Sequence, residues 1–142
     1  MLDNQIFKAL EIAKVAHKGQ VDKGGKDYIF HPVSVALMCN TDKEKIVALL
    51  HDVIEDNKNY SVDFFLEQGF GNDIIEALKA ITHNKNESYN DYLKRVKTNK
   101  LATAVKLNDL YHNSDLSRLK TITDKDKARF KKYQRCINYL KS

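Results

Sequence analysis

The chain has 142 residues, of which 42% are hydrophobic and 30% are charged, proportions typical of a soluble globular protein. No apolar run approaches the roughly 18 residues that a membrane-spanning helix needs, and the amphipathic N-terminus does not resemble a signal peptide. A chain of this length can form one compact domain with its own core. We therefore expect one cytoplasmic domain over residues 1–142, without a membrane partner.

Charge and cysteine usage narrow the range of partners. Lysine and arginine number 24 and aspartate and glutamate 19, which gives a net charge of +5. This excess favours an anionic partner: nucleic acid, an acidic surface or a phosphorylated small molecule. Cys39 and Cys136 lie within apolar helical patterns and lack CxxC spacing, so we predict two buried thiols in a reducing compartment.

Apolar residues recur at helical spacing along nearly the whole chain, and no segment alternates as a half-buried strand would. The first helix begins near Asp3 and ends near Gly19, and the second has Pro32 at its first position. Further helices are predicted at about 43–56, 61–68, 72–82, 88–97, 101–112 and 124–141. The pattern predicts an all-α bundle of seven or eight helices, in which the most apolar helix, 43–56, is central.

Ionisable residues interrupt that most apolar helix near its end. His51, Asp52, Glu55 and Asp56 fall within six residues, and the two i, i+4 pairs among them share one face. Placing four ionisable groups there is costly unless they are compensated. A divalent cation is the simplest compensation for three neighbouring carboxylates.

A second polar stripe lies on the helix at 101–112 and its end. Lys106, Asp109 and Asn113 are spaced i, i+3 and i+7, which places them on one face. Lys106 either contacts a phosphate or neutralises a nearby carboxylate. His112, three residues after Asp109, either approaches the same cavity or lies at the surface.

His31 is the third candidate, because it directly precedes Pro32 at a helix N-terminus. The helix dipole there favours the neutral imidazole, which is the form that binds metals; a packed or capping role is the alternative for this residue alone. Two histidines and two aspartates would suit Mn, Fe, Ni or Zn. Glu55 and Asp56 would then serve acid–base chemistry.

Several short blocks occur in a fixed order over roughly residues 10–120. They read AHKGQ at 16–20, YIFHP at 28–32, ALLHDVIED at 48–56, AIT at 80–82 and VKLNDLYHN at 105–113. Together they resemble the HD-domain metal phosphohydrolases. The likeness is greatest to the hydrolase domain of the RelA/SpoT alarmone enzymes and to the stand-alone, Mesh1-like small alarmone hydrolases.

The resemblance implies an all-α HD fold that binds one Mn²⁺, with Zn, Fe or Ni as other possible ions. The residues that match the family's metal ligands are His31, His51, Asp52 and Asp109. Glu55 and Asp56 match the pair that activates or positions the attacking water. The implied reaction removes the 3′-pyrophosphate from ppGpp or pppGpp and gives GDP or GTP. No synthetase domain is expected within this chain.

The resemblance also implies substrate contacts. Lys23 matches a basic residue that packs on the guanine, and Asn113 matches a residue near the ribose and phosphates. Tyr133, four residues after Arg129, resembles a substrate-facing tyrosine. Lys106 is added as a phosphate-facing lysine from its place in the polar stripe.

Two other functions stay open. Asp22 and Asp27 stand where the family usually carries arginine and proline, so the substrate can be another phosphorylated nucleotide, such as NADPH. A non-catalytic module that binds nucleotides or nucleic acid is the second alternative, because residues 118–141 carry nine basic residues against Asp124 and Asp126. No nucleic-acid motif accompanies this basic segment, so we favour the enzyme and a small-molecule nucleotide as its partner.

Overall fold

A computed structural model describes residues 2–142 and every side chain among them except those of Leu2, Asp3 and Arg118. The α-helices are α1 (Leu2–Ala16), α2 (Phe30–Met38), α3 (Asp42–Leu50), α4 (Val53–Asp56), α5 (Val62–Glu67), α6 (Asn72–Ile81), α7 (Tyr89–Lys97), α8 (Lys100–Asn113) and α9 (Asp124–Lys141). A 3₁₀ helix, Leu116–Arg118, lies between α8 and α9. Residues 2–142 contain no β-strand, and Val21 and Asp27 form an isolated antiparallel bridge. The predicted all-α fold is confirmed.

Helix α3 lies at the centre of the core, as its composition predicts. Ile46, Val47, Ala48 and Leu50 are completely buried, and the helix packs against α1, α2, α6 and α8. Burying each larger aliphatic side chain contributes about 1.5–3 kcal/mol relative to leaving it exposed. Because α2, α3 and α8 also contact one another, polar residues at their facing positions are brought to one place.

The prediction of one continuous helix over residues 43–56 is wrong at one point. Helix α3 ends at Leu50 and α4 begins at Val53, with His51 and Asp52 forming a turn between them. Asp52 has φ −96° and ψ −8°, in the sparsely allowed bridge region rather than the helical one. The interruption therefore falls on the two ionisable residues that follow the apolar run.

Two other helix boundaries differ in detail from the prediction. Helix α2 already begins at Phe30, so Pro32 is its third residue rather than its first. Proline is tolerated throughout the first turn, because the N–H groups there have no acceptor within the helix. Helix α1 includes residue 3, and the side chain of Asp3 lies outside the described residues. Gly19 follows the end of α1 with φ +84°, a conformation that favours glycine.

The two cysteines are free and buried, as predicted. Burial raises the pKa of the Cys39 thiol, and its Sγ donates a hydrogen bond to the carbonyl oxygen of Val35 over 3.2 Å. A protonated, buried thiol of this kind has a packing role. Within residues 2–142, the helices are too short or too polar to cross a membrane.

Candidate metal centre and adjoining cavity

Four side chains from three parts of the chain converge at the contact between α2, α3 and α8. His31 lies in the first turn of α2, His51 and Asp52 form the turn after α3, and Asp109 lies on α8. One ligand atom from each lies within 4.8 Å of all the others. The two histidines and Asp109 are buried, and the Asp52 side chain is 14% exposed. The structure thus brings together the four residues predicted as metal ligands.

The distances show which atoms face one another. Nε2 of His31 lies 2.8 Å from Oδ1 of Asp109 and 3.5 Å from Oδ2 of Asp52. Nε2 of His51 lies 3.2 Å from each of the same two oxygens. Two ring nitrogens and two carboxylate oxygens therefore point into one small space.

The proton on His51 can be placed from its other contact. Its Nδ1 lies 2.5 Å from the carbonyl oxygen of Ala48, and since a carbonyl only accepts, Nδ1 carries hydrogen. Nε2 then faces Asp52 and Asp109, and positive charge is needed between them: either a proton on Nε2 or a cation bound to its lone pair. Burial lowers the His51 pKa, but these two carboxylates outweigh it and raise the pKa to about 10.

The donor set fits a divalent transition metal. Imidazole nitrogen combined with carboxylate oxygen suits Mn, Fe, Ni or Zn better than Ca, which prefers oxygen alone. The convergence of two carboxylates on the imidazole nitrogens supplies the charge that such an ion would neutralise. The cluster formed by His31, His51, Asp52 and Asp109 is compatible with one divalent cation.

Asp109 is held in place from its own helix. Nζ of Lys106 donates to its Oδ2 over 3.0 Å, and Nδ2 of Asn113 donates to its Oδ1 over 3.3 Å. Burial raises the Asp109 pKa, but Lys106 and the neighbouring histidines outweigh it and hold the pKa well below its usual range. Burial likewise lowers the Lys106 pKa, and the charge of Asp109 raises it well above normal. Lys106 and Asp109 are therefore a charged pair at neutral pH.

Asp52 is held by a residue that sequence reasoning did not single out. The hydroxyl of Tyr28 donates to Oδ2 of Asp52 over 2.7 Å. Tyr28 is the first residue of the YIFHP block, so its membership of that block was the one indication in the sequence that it could matter. Its contact with Asp52 depends on how the loop before α2 folds. The sequence left open whether His112 approaches the same cavity or lies at the surface. In the structure, its Nδ1 lies 2.7 Å from Nδ1 of His31.

Glu55 and Asp56 lie one turn beyond the cluster and are exposed. Glu55 accepts a hydrogen bond from the backbone N–H of His83 over 2.5 Å, and Asp56 accepts one from the Gln20 amide over 3.2 Å. Partial removal from water, together with the charge of Asp52, raises the pKa of both carboxyls. Both contacts tie α4 to loops beside the cluster.

A cavity of about 250 Å³ opens beside His31 and Tyr28. Three of the predicted substrate residues, Lys23, Asn113 and Tyr133, line it. The fourth predicted substrate residue, Lys106, is not among the residues that line this cavity and instead forms an ion pair with Asp109. The cavity wall also includes Asp22, Asp115, Leu116, Leu119, Phe130 and the ion-paired residues Asp126 and Arg129.

Comparison with known proteins identifies the family to which the chain belongs. Residues 9–109 match the family model described as the HD domain. The chain belongs to the HD domain family, and within it the chain is related to the hydrolase domains of RelA/SpoT proteins.

Three relatives illustrate that relationship. The chain is 39% identical over 92 residues to a guanosine-3′,5′-bis(diphosphate) 3′-pyrophosphohydrolase from Borreliella burgdorferi, covering 58% of this chain and 14% of that protein. It is 38% identical over 82 residues to the bifunctional (p)ppGpp synthase/hydrolase SpoT of Escherichia coli (strain K12), covering 55% and 11%. It is 34% identical over 109 residues to an Aquifex aeolicus protein with the first protein's name, covering 70% and 15%. The matched segments therefore cover at most 15% of the length of these three relatives.

Proposed function

We propose that the protein is a metal-dependent hydrolase that removes the 3′-pyrophosphate from ppGpp or pppGpp. The observation that carries this proposal is the convergence of two imidazole nitrogens and two carboxylate oxygens within 4.8 Å, beside a cavity lined by Lys23, Asn113 and Tyr133. Two of the relatives support the choice of substrate, because their name, guanosine-3′,5′-bis(diphosphate) 3′-pyrophosphohydrolase, describes this reaction. We also propose that residues 1–142 form one domain, since the core includes both Ala9 and Leu140.

The four clustered residues would hold the cation: His31 and His51 through Nε2, Asp52 through Oδ2 and Asp109 through Oδ1. Mn²⁺ is the ion that we propose first, with Zn, Fe and Ni as alternatives to be decided by measurement. When bound, such an ion supplies Lewis-acid chemistry, acidifying a water molecule and stabilising charge on phosphate oxygens.

Glu55 and Asp56 are the proposed acid–base pair. The raised pKa of each carboxyl brings it closer to neutral pH, where a general acid or base is most effective. Glu55 is fixed by the His83 N–H and Asp56 by Gln20. We propose that one of these carboxylates takes the proton from the attacking water and that the other orients that water.

The proposed substrate contacts divide between base and phosphates. Lys23 and Tyr133 lie on the cavity wall, where an ammonium group and a phenol ring can contact a nucleotide. Asn113 lies on the same wall and also donates a hydrogen bond to Asp109. It can therefore contact the substrate and a ligand of the cluster at the same time. We propose that the positive charge of Lys106 favours phosphate binding. Its ion pair with Asp109 supports a second role, which is to hold that ligand in place.

A second substrate is favoured by one observation. Asp22 lies on the cavity wall next to Lys23, and a carboxylate there disfavours a substrate as highly charged as one with two diphosphate groups. Another phosphorylated nucleotide, such as NADPH, is therefore the alternative substrate. It uses the same cation and the same Glu55–Asp56 pair.

The test combines metal analysis with product detection. The purified protein is expected to retain a divalent transition metal by elemental analysis and to release pyrophosphate from ppGpp with Mn²⁺. Asp109→Asn should lower the rate at least about 100-fold, because a metal ion contributes several kcal/mol of transition-state stabilisation. Asp63→Asn, an exposed carboxylate on α5, is the matched control and should retain the full rate.

The outcomes separate the candidates. Phosphate release from NADPH with ppGpp left intact would replace the substrate and preserve the class of enzyme. Failure to release phosphate or pyrophosphate from any nucleotide, in protein shown to contain metal, would contradict the proposal.

A further inference from the structure

We propose that His112 is a positioning residue that fixes the tautomer and orientation of His31. The inference rests on the proposed cation site, because it concerns how His31 is prepared to act as a ligand. It assigns a role to a side chain outside the set of four ligands and outside the proposed acid–base pair.

The geometry places His31 between two partners. On one side of its ring, Nε2 lies 2.8 Å from Oδ1 of Asp109. On the other side, Nδ1 lies 2.7 Å from Nδ1 of His112. The two ring centroids are 4.9 Å apart and the rings are inclined by 36°, and the 2.7 Å distance shows that the two Nδ1 atoms are in direct contact.

A distance of 2.7 Å between two ring nitrogens requires a shared proton, because two lone pairs would repel each other. If Nε2 of His31 is to bind a cation, that nitrogen must be unprotonated. The shared proton then belongs to Nδ1 of His31, and Nδ1 of His112 is the acceptor. The contact therefore selects the one neutral tautomer of His31 that can act as a ligand through Nε2.

His51 provides an internal comparison. Its Nδ1 donates to the backbone carbonyl of Ala48, and its Nε2 faces the same carboxylates as that of His31. Each histidine of the cluster thus has an acceptor at Nδ1. For His51 that acceptor is backbone, whereas for His31 it is the side chain of His112, which can be changed by mutation.

The place of His112 on α8 explains why it reaches His31. It follows Asp109 by three residues, so both side chains lie on one helix face, and α8 packs against α2, which carries His31. One helix therefore supplies an oxygen ligand and the residue that orients a nitrogen ligand. Residues that orient metal ligands in this way typically change metal affinity 10- to 100-fold when they are removed.

The experiment compares two substitutions in the full chain. His112→Phe keeps a ring of similar shape and removes the acceptor, whereas His112→Asn keeps an acceptor oxygen near the position of Nδ1. We expect the Kd for Mn²⁺, measured by competition with a chelator, to rise about 10- to 100-fold in His112→Phe. It should stay within about threefold of wild type in His112→Asn. Tyr111→Phe, its exposed neighbour on α8, is the control and should not change the Kd.

A second measurement does not depend on how the variants fold. In wild-type protein loaded with diamagnetic Zn²⁺, long-range ¹H–¹⁵N spectra of the imidazoles should show His31 protonated at Nδ1 and His112 unprotonated at Nδ1. The opposite assignment would overturn the inference.

The remaining outcomes also decide the matter. An unchanged Kd in a folded His112→Phe variant would overturn the role of His112 and leave the cation site intact. An equal loss in His112→Asn and His112→Phe would show that packing is responsible, and this too would overturn it. If wild-type protein binds none of Mn²⁺, Zn²⁺, Fe²⁺ or Ni²⁺, the proposed function fails first and this inference fails with it.

Discussion

The hydroxyl of Tyr28 donates to Oδ2 of Asp52 over 2.7 Å, and the same oxygen lies 3.2 Å from Nε2 of His51. Tyr28 therefore holds the Asp52 carboxylate in the orientation that faces the ring nitrogen. Burial and the charge of Asp52 raise the Tyr28 pKa far above its ordinary value. The phenol consequently remains a hydrogen-bond donor at neutral pH.

Removing that hydroxyl should weaken the cation site. We expect Tyr28→Phe to raise the Kd for Mn²⁺ roughly tenfold, because an orienting contact to a ligand is lost while the ring is kept. Chelator competition measures this Kd. Tyr139→Phe, at an exposed tyrosine on α9, is the control. Equal Kd values for Tyr28→Phe and wild type would show that Asp52 does not depend on the phenol.

Replacing Lys106 should affect stability as well as activity. Lys106→Met leaves the buried Asp109 carboxylate without its charged partner, which typically costs 3–5 kcal/mol in the free energy of unfolding. A bound cation would offset part of that loss, so we expect Mn²⁺ to stabilise this variant more than it stabilises wild type. Urea denaturation with and without Mn²⁺ measures both effects.

The control for this prediction is Lys94→Met, at an exposed lysine on α7. It should change the free energy of unfolding by less than about 0.5 kcal/mol. If Lys106→Met alters only KM for the nucleotide and leaves unfolding unchanged, Lys106 contacts substrate and does not support Asp109.

Arg95 holds the end of α6. Its guanidinium donates to the carbonyl oxygens of Lys79, Ala80 and Thr82, the last two over 2.9 Å each. The last carbonyls of a helix have no partner within it, so these bonds satisfy groups that would otherwise need water. We expect Arg95→Ala to lower the free energy of unfolding by roughly 1–3 kcal/mol, measured by urea denaturation. Lys94→Ala, one residue away and exposed, should have little effect.

The pair formed by Glu87 and Arg95 should make stability depend on pH. The hydrogen bond from Arg95, 2.6 Å long, lowers the Glu87 pKa below its ordinary value of 4.5. A carboxyl with a lowered pKa in the folded state stabilises the protein above its unfolded pKa, and that contribution disappears as the pH falls through the folded pKa.

Thermal denaturation of Glu87→Gln tests this dependence. At pH 7 we expect the variant to have a lower Tm than wild type. As the pH falls below about 4.5, the difference should shrink, because wild-type Glu87 becomes protonated as well. A Tm difference that does not shrink as the pH falls below this value would contradict the assignment.

The sequence was sufficient to predict the all-α fold and the four residues that cluster. The helices follow from apolar spacing, which depends on residues near one another in the chain. His51, Asp52 and Asp109 were conspicuous because ionisable groups in apolar helices need compensation, and His31 because of its place before Pro32. Each of these signals is local, which explains why it could be detected without a structure.

The contacts that support the cluster could not be predicted in the same way. Tyr28 and Asp52 are 24 residues apart, and His31 and His112 are 81 residues apart. Such pairs form only through the packing of the loop before α2 and of α2 itself on the rest of the core. The interruption at residues 51 and 52 was also missed, because apolar spacing continues across it into α4.

That interruption has a consequence for protein engineering. Successive side chains on an uninterrupted α-helix diverge by about 100° around its axis, yet Nε2 of His51 and Oδ2 of Asp52 come within 3.2 Å. The bridge-region backbone of Asp52 accompanies this convergence. Grafting the His-Asp dipeptide onto a straight helix of a designed scaffold should therefore separate the two ligands, and the donor backbone from Ala48 to Val53 should be transplanted with them.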